Sequence, residues 1–236
     1  MEFNLSKCHI LPITRKRLNI SFSYTIGNHP ISVVNSFTYL GITVTADLRW
    51  NRHVANVCSK ATRTLNFVRR NVYGCTSEAK AKVYVSLVRP HLEYAAPSWD
   101  PYTRKNINAI EAVQRRAARF VKRDYRRTTS VSQLIHDLHW SSLADRRCHA
   151  RLTLFFKALH GLSPLPVSEF ALSDSSSRFS TRGTIFRQVS VRTDVYKWSF
   201  FPRTIRDWNG LSPLLHVMPS VPTFVDALPL LGPRGC

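Results

Sequence analysis

The sequence predicts an α+β chain, mainly α: a small antiparallel β-hairpin or meander at the N-terminus, then a basic helical bundle, then a helical C-terminal region. Two observations predict it. The apolar pattern changes period near Trp50, from the alternation of strands to the three-to-four spacing of amphipathic helices. Hydrophobic residues make up 44% of the 236-residue chain and aromatic residues 11%, enough to build a core.

The elements follow in order. Cys8 to Ile13 is a short apolar run, and Asn19 to Ile26 alternates, with Ile20, Phe22, Tyr24 and Ile26 on one face. Gly27-Asn28 is a turn signal, after which Ile31 to Val34 and Phe37 to Val44 resume the strand pattern. From Trp50, with Asn51 as N-cap, Val54, Val57, Ala61, Leu65 and Val68 line one helical face, and Arg52, Arg63 and Arg70 fall together on the opposite one. A second helix starts at Thr76 or Ser77. Val83, Tyr84, Val85, Leu87, Val88 and Leu92 nearly encircle it, which predicts a buried central helix that Pro90 kinks or stops. Tyr94 to Tyr102 reads as a turn. A third helix is expected over Arg104 to Tyr125, with Ile107, Ile110, Val113, Ala117, Phe120 and Val121 as its apolar stripe. Ser130 caps a short helix, and Ser141 or Ser142 caps another that reaches His160 before Gly161. Leu162 to Arg192 reads as a loop with one strand near Thr184 to Val191. The aromatic tail from Tyr196 to Leu228 is expected to form two short helices packed back on the body.

Charge points to the partner. Lys and Arg number 34 against 14 Asp and Glu, a formal net charge of +20. Such an excess strains a compact protein unless a polyanion neutralises it. The third helix concentrates it: Arg104, Lys105, Arg115, Arg116, Arg119, Lys122 and Arg123 share the polar side, Arg126 and Arg127 extend it, and Glu111 and Asp124 are the only acids there. Solvated faces normally mix signs to gain pairs one turn apart. Phe67, Tyr73, Tyr125 and Trp140 could stack bases, but packing is the reading favoured for each.

Other chemistries find little support. The acids are scattered, with no paired aspartates to hold divalent cations, so a metal-dependent nuclease is a distant reading. His136, Asp137 and His139, with His149 and His160 downstream, lack the zincin spacing, and no metal site is expected. The cysteines (Cys8, Cys58, Cys75, Cys148 and Cys236) are odd in number and widely spaced, which predicts neither a disulfide framework nor a structural zinc. No nucleophile elbow, dinucleotide fingerprint or phosphate loop occurs. Neither a signal peptide nor a bilayer-spanning run is expected, and the chain reads as intracellular.

Four segments carry a resemblance. Phe3-Asn4-Leu5-Ser6-Lys7-Cys8 resembles the segment after the catalytic Asp-Asp box of non-LTR (LINE, jockey-like) retrotransposon reverse transcriptases, and Tyr39-Leu40-Gly41-Ile42 resembles the hairpin that comes next. Arg115-Arg116-Ala117-Ala118-Arg119-Phe120-Val121 and Ser199 through Asn209 resemble boxes in the C-terminal regions of the same polyproteins. The resemblance implies that 1–46 is the end of a palm, 47–127 a thumb-like helical domain, 128–161 post-thumb helices, 162–195 a linker and 196–236 an aromatic C-terminal segment. It implies that Lys7 matches a lysine assisting pyrophosphate departure, and that Tyr39, Leu40 and Gly41 support the primer end. It places the catalytic aspartates before Met1, so this chain is expected not to polymerise alone. It is expected to need no cofactor, magnesium belonging to the missing centre.

The expected function is therefore to hold the backbone of RNA, DNA or an RNA–DNA hybrid, through Arg52, Arg63, Arg70 and the basic side of the third helix. The rest of the polymerase is a possible partner, no membrane is expected, and the compartment implied is the nucleus or a cytoplasmic ribonucleoprotein. The alternative is a domesticated basic helical module that binds RNA or protein, with an ordered tail around Trp198 to Trp208 forming a defined groove.

Overall fold

A computed structural model describes residues 4–14, 22–167 and 186–231. The chain is mainly helical with small N-terminal strand pairs. It divides into two compact units, Met1–Asn56 and Val57–Cys236.

The first unit holds three two-stranded pairs among its described residues. β1 (His9–Ile10) pairs with β4 (Ser32–Val33) in parallel, which the meander expectation did not include. β2 (Thr25–Ile26) and β3 (His29–Pro30) form an antiparallel hairpin across Gly27-Asn28, Gly27 supplying the positive φ of 59°. β5 (Ser36–Tyr39) and β6 (Ile42–Thr45) pair antiparallel across Leu40-Gly41. Both turn residues have positive φ, 47° and 81°, the geometry that matches strand twist in a two-residue hairpin. The strands are shorter than the apolar runs suggest, and Phe22 and Tyr24 remain exposed, each packed mainly on the other's ring at 4.8 Å. The expected contributions of Asn19 and Ile20 lie outside the described residues. The unit ends in the first turns of α1 (Asn51–Asn71). There the buried His53 accepts the Thr43 N–H at Nδ1 (3.2 Å), and Asn56 Nδ2 donates to Thr43 Oγ1. Burial lowers the His53 pKa, so the ring stays neutral with its proton on Nε2.

In the second unit α1 continues to Asn71, burying Ala61, Leu65 and Val68. Thr76 caps α2 (Ser77–Val83) by accepting the Ala79 N–H. One wide π-turn, Tyr84–Val88, leads into α3 (Arg89–Glu93). The wide turn sits just before Pro90, which lacks the N–H that a regular helix would use there. The helix is not buried all round: Lys80, Tyr84, Val88 and Leu92 form its fully buried stripe, while Leu87 is 49% exposed. Tyr84 OH donates to Gln114 Oε1 (3.0 Å) and its ring stacks on Trp140. The segment read as a turn contains α4 (Ala96–Trp99), entered through Ala95 at φ 50°.

α5 (Arg104–Lys122) ends three residues before Tyr125, because Arg123 adopts φ 54° and its N–H and that of Asp124 return to Phe120 and Arg119 carbonyls. α6 (Val131–Asp137) is capped by Ser130, and α7 (Leu143–Leu159) by Ser142, which accepts the Asp145 N–H at 2.9 Å. Glu111 of α5 accepts the Ala144 N–H, a second cap on α7 from a neighbouring helix.

The tail forms four helices where two are expected: α8 (Asp194–Lys197), α9 (Phe200–Asn209), α10 (Pro213–His216) and α11 (Val221–Leu231). They close a core over α7 in which Leu152, Phe155, Phe156, Trp208, Leu215 and Phe224 are all buried. Phe156 stacks on Phe224 with centroids 4.3 Å apart, and Trp208 stacks on His216. Each such side chain removed from water contributes about 1.5–3 kcal/mol. Phe186 is pinned to this core by two bonds to the Asn209 side chain. Residues 187–191 have no regular structure, and the rest of the strand expected near Thr184 lies outside the described residues.

Candidate nucleic-acid interface

The side of α5 that faces away from α7 and the buried core carries the basic residues. Ala109 and Ala112 are small there, which leaves an open groove of about 630 Å³ lined by Cys58, Ala109, Ala112, Arg115, Arg116, Arg119 and Val131. Small side chains at the floor let a ligand approach the helix, and long guanidinium side chains wall it.

What the guanidinium groups already bond decides what they can offer. Arg115 Nη2 donates to the Asn108 carbonyl (3.2 Å). Arg116 donates from Nε to the Ala112 carbonyl and from Nη2 to Thr62 Oγ1, both at 3.2 Å. These acceptors are neutral and neither guanidinium is in a salt bridge among the described residues, although Glu111 attracts Arg115 from one turn away, so both keep charge to offer an arriving phosphate. Arg119 differs. It donates to the carbonyls of Asp124 (3.2 Å), Arg126 (3.0 Å) and Thr129, bracing the loop that follows α5. It is a structural residue as well as a groove residue. Asp124, an acid on this side, is held well below the usual carboxylate range by bonds from Arg126 and Thr129, and does not pair with the groove. Burial pushes the Cys58 thiol pKa up, while Arg116 and Arg147 pull against it.

The structure does not gather all the expected basic residues into one line. Arg63 and Arg70 are exposed, but on α1 they sit about 100° round from Cys58, Thr62 and Arg69, the side that meets α5. Arg52 belongs to the first unit and donates to Ser36 Oγ. Arg104 and Lys105 are exposed at the N-terminal end of α5, where the helix dipole disfavours cations. Lys122 is exposed, and Arg123 donates to the Tyr73 carbonyl at 2.6 Å. In the first unit Lys7 is exposed in a single 3₁₀ turn, and Tyr39 and Leu40, 65% and 71% exposed, form the hairpin tip with Gly41.

Two features escaped the sequence reading. Arg69, left out of the basic stripe, lies over the rings of Phe120 (6.0 Å) and Tyr125 (5.9 Å). The other is a buried ion network. Arg147 and Arg151, one turn apart on the core side of α7, both bond Asp100, Arg147 Nε at 2.9 Å; Arg203 reaches the same carboxylate at 3.0 Å, and Arg151 and Arg206 bond Asp207. The box from Ser199 to Asn209 is thereby explained as a fastening: Arg203 and Asp207 enter the network while Ile205 and Trp208 enter the core. The signal was present as two arginines spaced one turn apart within an otherwise apolar stripe.

Among the described residues no three His, Cys, Asp or Glu side chains converge as a metal site, and no helix is long and apolar enough to cross a membrane. The sequence matches no family model, curated protein or solved structure with which it was compared.

Proposed function

We propose that the chain holds nucleic acid by its sugar–phosphate backbone, in the manner of a polymerase thumb, as the C-terminal part of a non-LTR retrotransposon reverse transcriptase. The observation that supports this best is the pair Arg115 and Arg116, two cations in an open groove bonded only to neutral oxygens. Backbone contacts of this kind position a duplex without reading its sequence. A hybrid of RNA and DNA, with its shallow minor groove, is recognised by shape and fits the reading. In it Lys7 and the Tyr39-Leu40-Gly41 tip would serve a catalytic centre supplied by preceding sequence, together with its magnesium. The partners are RNA, DNA or hybrid and the remainder of the polymerase, in the nucleus or a cytoplasmic ribonucleoprotein.

The test replaces Arg115 and Arg116 by Ala and follows binding of a mixed-sequence hybrid as salt is raised. Each phosphate contact contributes roughly 0.7–0.9 to the logarithmic slope, so the double variant should lose about 1.4–1.8 of it. An unchanged slope removes the groove from the interface.

A domesticated binding module draws support from a different observation. The tail from Trp198 to Trp208 packs against α7, and a second groove of about 450 Å³ lies between α7 and α11, lined by Arg146, His149, Lys157, Val225 and Leu228 among others rather than by the Trp198 to Trp208 segment. Such a module would unfold in one cooperative transition as an isolated monomer; a polymerase fragment that exposes palm surface would aggregate or unfold gradually.

A further inference from the structure

Beyond the groove, at the C-terminal end of α5, cations and aromatic rings alternate. Arg69 lies over Tyr125 and Phe120; Lys80 Nζ lies 5.2 Å from the centroid of Phe120 and 5.6 Å from that of Tyr73; Arg123 lies 5.3 Å from Tyr73. Among the described residues no carboxylate comes within salt-bridge distance of Arg69, Lys80 or Arg123, although three positive charges share this small region. Lys80 is the anomaly. It is fully buried, and its ammonium has no hydrogen-bond acceptor, only ring faces. A buried ammonium with unused donors is costly, and the ring faces over which it lies offset that only in part, so its field favours an anion nearby. Burial and the neighbouring Arg123 both lower its pKa.

The rings at the two ends of this ladder are not packed away. Tyr73 is 67% exposed and Tyr125 is 55% exposed, in place of the packing expected of them. A largely exposed ring beside cations that no carboxylate neutralises suits an unpaired base and its phosphate together. Inside a duplex every base face is covered by its neighbours, and at a blunt end the last base stays paired, so an unpaired base reaches the ring far more readily. The ladder also lies where a strand leaving the groove would pass: Arg123 follows Arg116 by seven residues, about 10 Å along the helix.

We propose that the Tyr73 end of this ladder is a subsite for an unpaired nucleotide, whose base stacks on the Tyr73 ring and whose phosphate bonds Arg123 above the buried charge of Lys80. The inference rests on the backbone-holding reading for its class of ligand, and adds to it a preference for a duplex that continues into a single strand.

The experiment uses the full chain with two fluorescent probes: a blunt RNA–DNA hybrid, and the same hybrid extended by a short single-stranded overhang. The native chain should bind the overhang probe about tenfold more tightly for a stacked base. Tyr73→Ala, at an exposed site, should abolish that advantage while leaving the blunt probe unchanged; Tyr73→Phe should keep it; Lys80→Met should reduce it. Arg115→Ala with Arg116→Ala should weaken both probes alike. Equal affinity of the native chain for the two probes, or an advantage that survives Tyr73→Ala, overturns the subsite and leaves the groove standing. Failure to bind either probe in dilute buffer overturns both.

Discussion

Asp100 is the residue on which the second unit's burial of charge turns. Its carboxylate receives Arg147, Arg151 and Arg203, and all four groups are nearly or wholly inaccessible. With Asp207 the buried set is three guanidinium groups against two carboxylates, an excess of one positive charge; Arg206, which also pairs with Asp207, is partly in solvent. Asp100→Asn keeps the shape but turns one acceptor oxygen into an NH2 donor facing guanidinium donors, and raises the buried excess to two. Removing one partner from a buried pair costs about 3–5 kcal/mol, because the remaining charges are stranded away from water. For a chain of this size each kcal/mol moves the midpoint by roughly 2–4 °C, so a fall of about 6–20 °C is expected. Thermal unfolding followed by circular dichroism reads this directly. Asp47→Asn, on an exposed turn where Asp47 accepts Thr45 and Arg49, is the control and should cost less than about 1 kcal/mol. If Asp100→Asn unfolds within about 2 °C of the native chain, the network does not fasten the tail to α7.

Arg119→Ala removes three bonds to loop carbonyls and should cost about 1–2 kcal/mol, with faster amide exchange over 123–129; Arg116→Ala should do neither. His53 is buried neutral with a lowered pKa, so the unfolded chain binds the extra proton more readily; stability from this group is complete above about pH 6.5 and falls as pH drops below it. Urea midpoints between pH 8 and pH 5.5 should show that loss, and His53→Gln should lessen it. Leu40 holds φ 47° in the β5–β6 turn, a conformation that Asn adopts more readily, so Leu40→Asn should stabilise the hairpin by about 0.5–1 kcal/mol in thermal melts.

What could be seen in the sequence was local. Ser130 and Ser142 announce their helices because a hydroxyl before an apolar period has one structural use, and the stripe from Ile110 to Val121 fixes which side of α5 is basic. Three things were hidden, two because they depend on how the backbone turns locally and one because its partners are distant in the chain. Pro90 is accommodated within a continuous helical segment by the wide turn before it, so it neither stops the chain nor frees the segment from burial. Arg147 and Arg151 read as polar interruptions until Asp100 and Asp207, 47 and 56 residues away, arrive to meet them. Arg119 reads as one more free cation until the carbonyls of Asp124, Arg126 and Thr129 turn toward it. The strand runs near the N-terminus were overextended, since alternation says which face a residue takes but not where pairing ends.

Arg115 and Arg116, cations on α5 outside any salt bridge among the described residues, are proposed to meet phosphate. The most direct measurement is the affinity of the native chain for a mixed-sequence RNA–DNA hybrid across a range of salt. Expected is a straight log–log decline with a slope of at least about 1.4, the share of Arg115 and Arg116 alone, and little change when the base sequence is scrambled. Affinity that ignores salt, or no association at the lowest ionic strength, would contradict it.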